Sequence, residues 1–195
     1  LNWEDANVDA ILNAWYGGQE GGTAVADILF GDYNPAGRLP ITFYKSVDQL
    51  PDFEDYSMKG RTYRYMTQVP LYPFGYGLSY TTFAYQNAKL SASKIGIKDK
   101  VTLTVDVKNT GKRDGDEVVQ IYIKNPNDPE GPIKALKGFK RVSVKAGASE
   151  KVSIELDQKA FYSFSDATQT LEVKPGSYKI LYGGSSADNA LQGID

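Results

Sequence analysis

The sequence predicts a mainly β protein, in which an antiparallel β-sandwich is preceded by an incomplete α/β segment. The second half alternates apolar and polar residues with the period of two that is typical of half-buried strands, most clearly in VTLTVDVKN (101–109) and KVSIELD (151–157). Turn signals rich in glycine separate such segments, for example at residues 111–115 and 174–176. The first 50 residues instead combine a helical period with a single strand-like segment.

The second half is predicted to contain seven or eight short strands. Besides the two segments quoted above, β-forming runs lie at 88–93, 117–125, 137–145, 161–165, 170–174 and 177–183. Short strands with regular turn signals favour two packed antiparallel sheets. Because the chain has no cysteine, it cannot form the disulfide bridge of an immunoglobulin domain. A fibronectin type III-like variant of the immunoglobulin-like sandwich is therefore the better prediction.

The first half has the elements of an α/β domain, but too few of them. Residues 7–13 have the spacing of the second half of a short helix. Thr23 is placed to cap a second helix, and Gly31 stands where a helix C-terminus requires a positive φ. NPAG (34–37) is a turn, and RLPITFY (38–44) reads as a strand. One strand and two helices cannot close a sheet, so we expect this half to be the end of a larger domain.

The middle of the chain is rich in aromatic side chains. Residues 52–85 carry ten of the 24 aromatic residues: Phe53, Tyr56, Tyr63, Tyr65, Tyr72, Phe74, Tyr76, Tyr80, Phe83 and Tyr85. These rings either bury area between two domains or form a platform that stacks on sugar rings; packing between domains is favoured. The predicted organisation is a piece of an α/β domain (1–50), an aromatic-rich interdomain segment (51–85) and a fibronectin type III-like domain (86–195).

The composition excludes several classes of partner and chemistry. With 22 Lys and Arg against 24 Asp and Glu, the net charge of −2 gives no reason to expect nucleic acid or a membrane surface as a partner. No apolar stretch is long enough to span a bilayer. Histidine is absent, which removes the commonest general base and the commonest metal ligand. We therefore predict no metal site and no cofactor.

The glycine-rich stretch WYGGQEGGTAVADILFGD (15–32) looks at first like a phosphate-binding loop. Gly17 and Gly22 have the four-residue gap of that motif, and Thr23 follows them. The lysine of the motif is missing, however, and Glu20 would place a carboxylate where the phosphate binds. The stretch is therefore predicted to be a turn and the start of a helix.

Longer blocks of the sequence resemble a known family. WYGGQEGGTAVADILFGDYNPAGRLPITFYKSVDQLP, GRTYRYM and PLYPFGYGLSYTTF are similar to the C-terminal region of family-three glycoside hydrolases, which are β-glucosidases, β-xylosidases and related exo-acting enzymes. DEVVQIYIKNPN and LKGFKRVSV resemble the fibronectin type III-like domain that closes many of them. The resemblance covers nearly the whole chain in order. The family's loop usually has proline where this chain has Gly17 or Gly18, a minor departure that relaxes the turn.

The resemblance implies a retaining hydrolase whose catalytic groups lie outside this chain. Retaining hydrolysis uses two carboxyl groups about 5 Å apart. In the family the nucleophile is an aspartate of a preceding barrel, and the acid/base is commonly a glutamate upstream of the GQEGG block, hence before Leu1. Glu20 is rejected as a substitute, because a helix N-terminus favours the charged carboxylate whereas a general acid must be protonated. No catalytic residue is therefore assigned, and the substrate-binding residues are not identified.

The resemblance also implies the partners and location of the chain. The partners are the barrel and α/β domains of the same protein and, through the full enzyme, β-linked glucosides or xylosides. The chain alone is predicted to be inactive and to act structurally. Uncovered apolar faces in the first half favour association of the isolated chain, for example as a homodimer. Family members are usually exported, which implies a periplasmic or extracellular location.

The remaining charged clusters have structural and functional interpretations. PDFEDY (51–56) is predicted to be a solvated loop. RDGDE (113–117) and NPNDPE (125–130) are predicted to be turns, because neither has the spacing of a calcium loop. Arg61 and Arg64 in GRTYRY are suited to bind either a sugar or an interdomain carboxylate, and the carboxylate is favoured.

An alternative function is a free-standing module that binds a carbohydrate or a protein. Such a module would expose a row of coplanar aromatic rings on one face of the sandwich. The candidates for that row are Tyr122, Phe139, Tyr178 and Tyr182.

Overall fold

The computed structural model describes residues 1–165 and 167–194. The helices are α1 (Asn2–Asn7), α2 (Gly21–Phe30) and α3 (Thr62–Tyr65), with short 3-10 turns at Val47–Gln49, Gln158–Phe161 and Asp188–Ala190. The strands are β1 (Phe83–Leu90), β2 (Val101–Asn109), β3 (Gly115–Lys124), β4 (Ala135–Val144), β5 (Ser149–Leu156), β6 (Tyr162–Ser165), β7 (Thr170–Val173), β8 (Lys179–Gly183) and β9 (Leu191–Ile194). No helix in these described ranges has the length and apolar character needed to cross a membrane.

The strands form a sandwich of two antiparallel sheets. One sheet has the order β1-β2-β5 and the other the order β4-β3-β8-β9, while β6 and β7 form a separate hairpin. Every described pairing between strands is antiparallel. The core between the sheets takes residues from both of them. The predicted fold class, a mainly β antiparallel sandwich, is confirmed.

The alternation in β2 determines which side of that strand faces the core. The apolar residues of the alternating set are buried: Val101, Leu103, Val105 and Val107. The intervening polar residues are half-buried or exposed. A period of two therefore separates core from surface along this strand, as the pattern predicts.

Strand β3 is buried on both of its faces. Val119 and Ile121 belong to the core between the sheets. Gln120 and Tyr122 point to the opposite face, because side chains alternate along a strand, yet they are only 3% and 0% exposed. The outer face of the second sheet is therefore covered, and residues 1–80 provide the cover.

Helix α2 confirms one sequence prediction and corrects another. The helix ends at Gly31, which adopts a left-handed conformation with φ of 82°, as predicted. The N-cap residue is Glu20 and not Thr23. Thr23 lies inside the first turn, where its Oγ1 donates a 3.0 Å hydrogen bond to Glu20 Oε2. The preceding glycines form the predicted turn, in which the Gly21 N–H donates to the Gly18 carbonyl.

Two predicted elements of the first half are wrong. The helix predicted over 7–13 is absent, since α1 ends at Asn7 and Val8 is extended. The side chains that define its apolar face are exposed, so no packing stabilises a helix there. The strand predicted over 38–44 is reduced to a single bridge between Phe43 and Tyr72. Pro40 has no N–H to donate, which prevents a continuous ladder.

Two strands of the sandwich differ from the prediction. The first strand begins at Phe83, five residues earlier than the predicted run at 88–93, and its pairing is irregular between Gln86 and Lys89. The short strand β9 was not predicted, because its sequence LQGI contains Gly193, a residue type that is depleted in strands.

Residues 1–80 leave many large apolar side chains in contact with solvent. We call the most exposed of them the N-terminal apolar surface. It consists of Trp3, Tyr16, Leu29, Phe30, Val47, Phe53, Tyr56, Val69 and Leu78. Among the described residues 1–80, Ala36 is the only apolar residue that is fully buried.

Candidate functional site

The best-defined polar site is the contact between the first 80 residues and the sandwich, which we call the junction. It consists of Arg38, Tyr63, Phe74, Gly75, Ser79, Tyr85, Glu117, Gln120 and Tyr122.

A buried ion pair lies at one end of the junction. Arg38 Nη2 lies 2.7 Å from Glu117 Oε2, and the two side chains are only 9% and 6% exposed. The hydroxyl of Tyr85 donates to the other oxygen of Glu117 at 2.6 Å. Both carboxylate oxygens are therefore occupied.

Burial raises the pKa of Tyr85 well above its usual range, and the negative charge of Glu117 raises it further. At neutral pH the Tyr85 hydroxyl is therefore neutral, and it donates to the Glu117 carboxylate that pairs with Arg38. A charge-assisted hydrogen bond of this kind is stronger than one between neutral groups.

A second set of hydrogen bonds connects the outer face of β3 to the backbone around Gly75. Gln120 Nε2 donates to the Gly75 carbonyl at 3.2 Å and to the Gly184 carbonyl at 2.5 Å. The Tyr122 hydroxyl donates to Gln120 Oε1 at 2.5 Å. The Ser186 N–H donates to the Phe74 carbonyl at 2.9 Å. The amide of Gln120 thus joins three parts of the chain.

Aromatic rings cover the middle of the junction. Tyr63 stacks on Phe74, with ring centroids 4.5 Å apart, and meets Tyr122 edge-on at 5.6 Å. The Leu136 N–H donates to the Tyr63 hydroxyl at 3.1 Å. These rings of the aromatic-rich segment therefore pack between the two parts of the chain, the arrangement favoured from the sequence.

The chain matches known families over both of its parts. Residues 1–80 match the model of the glycosyl hydrolase family 3 C-terminal domain, and residues 117–186 match the fibronectin type III-like domain. The chain belongs to the C-terminal region of glycosyl hydrolase family 3.

Relatives of this family 3 chain are named as xylosidases and glucosidases. It is 53% identical over 192 residues to a xylan 1,4-beta-xylosidase of Xylanibacter ruminicola, covering 98% of this chain and 22% of the relative. It is 42% identical over 197 residues to a periplasmic beta-glucosidase of Salmonella typhimurium, covering 94% and 26%. A solved β-glucosidase structure from Erythrobacter marinus superposes with a TM-score of 0.84 at 41% identity, covering 98% and 25%. The chain thus spans about a quarter of each relative's length.

The carboxylates singled out in the sequence are dispersed over the family 3 chain. Glu20 is exposed at the start of α2. Asp52, Glu54 and Asp55 lie in an exposed loop, as predicted. There, a hydrogen bond from the backbone N–H of Ser57 lowers the pKa of the Asp55 carboxyl.

The acidic run 113–117 does not form one turn, and this corrects the prediction. Asp114 accepts a hydrogen bond from the Ala146 N–H, Asp116 pairs with Arg141, and Glu117 is buried in the junction. Of the residues that the structure describes, no three Asp or Glu side chains are grouped so that they could hold a metal ion. The lack of a metal site stays a prediction.

The arginine in the ion pair of the junction is Arg38. The sequence instead favours Arg61 and Arg64 as the arginines that bind an interdomain carboxylate. Arg61 instead donates to carbonyls of its own loop, those of Ser57 and Asp55. One signal for the pair was present in the sequence. Glu117 lies two residues before the core residue Val119, so its side chain points to the same, buried face of β3. A carboxylate on a buried face needs a partner.

The row of exposed rings required by a free-standing binding module is not formed. Tyr122 is fully buried, Tyr182 is 5% exposed, and Tyr178 is half-buried with its ring edge-on to Phe161. Of the four candidates, Phe139 alone is exposed, at 69%. These four residues therefore do not make a flat sugar-binding surface.

The packing at Gly75 gives a test of the junction. Gly75 has φ of 79°, and a Cβ there would overlap the amide of Gln120. Gly147 has a similar φ of 73°, but a Cβ there would meet no described atom within 4 Å. We expect Gly147→Ala to cost about 1–2 kcal/mol of backbone strain. Gly75→Ala should cost about 1–3 kcal/mol more, because Gln120 must move. Urea unfolding measures the loss of stability in the two variants. Equal losses would mean that Gln120 does not hold the turn at Gly75.

Proposed function

We propose that this chain is the C-terminal structural region of an exo-acting β-glycosidase. The whole enzyme would remove terminal β-D-glucosyl or β-D-xylosyl residues with retention of configuration and without a cofactor. The observation that carries this proposal is the 53% identity to a xylan 1,4-beta-xylosidase over nearly the full length of the chain. The 42% identity to a beta-glucosidase supports the same class of reaction.

A structural role for this region is supported by the way in which its polar groups are used. Retaining hydrolysis needs two carboxyl groups about 5 Å apart, free to reach the glycosidic bond. The buried carboxylate, Glu117, uses both oxygens on Arg38 and Tyr85. The other carboxylates considered as candidates lie in exposed loops, at the exposed start of α2 or at strand ends. We infer that the junction holds residues 1–80 on the sandwich and takes no part in the hydrolysis of the glycosidic bond.

The partners that we propose are the barrel and α/β domains of the same protein. The N-terminal apolar surface supports this, because an exposed apolar area of this kind marks an interaction site. In the isolated chain the same surface would favour a homodimer. We keep the division into 1–50, 51–85 and 86–195 as the proposed organisation. A periplasmic or extracellular location is supported by the periplasmic relative.

The experiment is hydrolysis of aryl β-glucosides and aryl β-xylosides. The 195-residue chain is compared with a protein extended upstream of Leu1. We expect turnover by the extended protein alone, and its preferred glycoside identifies the sugar. The extended protein with Glu20→Gln should retain full activity, because Glu20 lies at an exposed helix start. Turnover by the 195-residue chain would contradict the structural role. An inactive extended protein would contradict the proposed enzyme class.

A further inference from the structure

Arg64 and Lys137 are neighbouring cations without a carboxylate partner in the described chain. Neither residue takes part in any described ion pair. The Nε atom of Arg64 is buried and has no hydrogen-bond partner among the described atoms. Its guanidinium carbon lies 5.5 Å from the centroid of the Tyr65 ring, a contact that supplies no hydrogen-bond acceptor in the plane of the Nε–H group. Buried arginine donors in native proteins are normally paired, so this group calls for an acceptor.

The backbone fixes Arg64 beside strand β4. The Arg64 carbonyl accepts a 2.7 Å hydrogen bond from the Ile133 N–H. The preceding residue, Tyr63, accepts a hydrogen bond from the Leu136 N–H through its hydroxyl. Helix α3 is therefore tied at two points to the segment that leads into Lys137.

Lys137 occupies a β-bulge. Ile121 pairs with Gly138 and Tyr122 pairs with Leu136, so Lys137 is the extra residue of β4 with no residue opposite it. A bulge redirects a side chain out of the regular ladder and is common next to functional sites. Half-burial lowers the pKa of Lys137, and the positive charge of Arg64 lowers it further.

Three other basic residues in the segments 59–64 and 134–137 already have partners. Lys134 pairs with Asp188, and Lys59 pairs with Glu130. Arg61 donates to loop carbonyls. Lys140, an exposed lysine of β4, also has no described ion pair, but Arg64 and Lys137 differ from it because they are half-buried and their charges are less well solvated.

We propose that Arg64 and Lys137 form a binding site for one carboxylate group. A guanidinium presents its two terminal nitrogens along one edge, and these two donors match the two oxygens of a carboxylate. The ammonium group of Lys137 adds a second positive charge to the same site. Two sources of carboxylate fit: an Asp or Glu side chain from another part of the protein, or a sugar acid.

NMR of the chain itself tests this site. The sequence has five arginines, so the Nε–Hε signals form a small set that can be assigned by substitution. Sodium acetate and sodium D-glucuronate are titrated into the ¹⁵N-labelled chain against sodium chloride at matched ionic strength. We expect a saturable shift of the Arg64 signal with both carboxylates and not with chloride. Tighter binding of glucuronate would indicate a sugar acid, whereas equal affinities would indicate recognition of a bare side-chain carboxylate.

Three variants separate the site from general charge effects. Lys137→Gln should weaken acetate binding about tenfold, because one charged donor is lost. Lys137→Glu should abolish binding, since it supplies Arg64 with an internal carboxylate. Lys140→Gln, which changes an exposed lysine on the same strand, should leave binding unchanged. The signals of the other four arginines report whether each variant is folded. A shift that does not saturate, or a saturable shift that Lys137→Gln leaves unaltered, would overturn the proposal.

Discussion

Replacing Arg38 with methionine is expected to lower the free energy of unfolding by about 3–5 kcal/mol. The substitution leaves the carboxylate of Glu117 buried with one hydrogen bond, from Tyr85, and without a positive charge. Removing one member of a buried ion pair costs this much because the remaining charge stays desolvated. Urea unfolding, monitored by the far-ultraviolet circular dichroism of the β-sheets, measures the decrease in the free energy of unfolding.

Two further variants test whether burial is the cause. Arg38→Met combined with Glu117→Gln should recover part of the loss, because the glutamine is neutral and its carbonyl still accepts from Tyr85. Arg141→Met breaks the pair with Asp116, in which Arg141 is 54% exposed. That change should cost less than about 1 kcal/mol. If Arg38→Met and Arg141→Met have the same effect, the junction is not held by its buried charges.

The sandwich was predictable from the sequence because its strands carry their own signal. In β2 each apolar residue of the alternating set is a core residue, so the periodicity alone identifies the buried face. Gly31 was predictable for a local reason as well, since a helix end with a positive φ favours glycine.

The first half was less predictable because its local patterns depend on packing that this chain does not supply. The residues of the expected helix over 7–13 have helical spacing, but their apolar side chains are exposed. A short helix is marginal in water unless tertiary contacts bury one face of it. The strand expected over 38–44 contains Pro40, and a single bridge is what remains.

Apart from the core-facing position of Glu117, the junction was not visible in the sequence, because it joins residues far apart in the chain. Arg38 and Glu117 are separated by 79 positions, and neither belongs to a motif that predicts the other. Gln120 and Tyr122 continue the alternation of β3, which predicts an exposed face. The aromatic-rich segment buries that face, and it does so through contacts that no local period encodes.

Raising the pH above about 10 is expected to destabilise the chain more steeply than ionisation of exposed tyrosines would. Burial raises the pKa of both Tyr85 and Tyr122 far above the value of about 10 that they have in the unfolded chain. Below pH 10 both hydroxyls are neutral in the folded and the unfolded state, and stability is unaffected. Above it the unfolded chain releases these protons and the folded chain retains them, so stability falls as the pH rises. Each tyrosine contributes about 1.4 kcal/mol per pH unit.

The contribution of Tyr85 is isolated by comparing variants in urea unfolding at pH 9, 10, 11 and 11.5. Three other tyrosines with raised pKa values, Tyr72, Tyr178 and Tyr182, add to the total slope, so the informative quantity is the change in slope between variants. Tyr85→Phe should lower the stability at pH 9, because the hydrogen bond to Glu117 is lost, and should reduce the slope above pH 10 by about 1.4 kcal/mol per unit. Tyr56→Phe removes the hydroxyl of a side chain that is 90% exposed and should change neither value. A slope unchanged by Tyr85→Phe would mean that the Tyr85 hydroxyl reaches solvent, and that the contact between Arg38, Glu117 and Tyr85 opens in the folded chain.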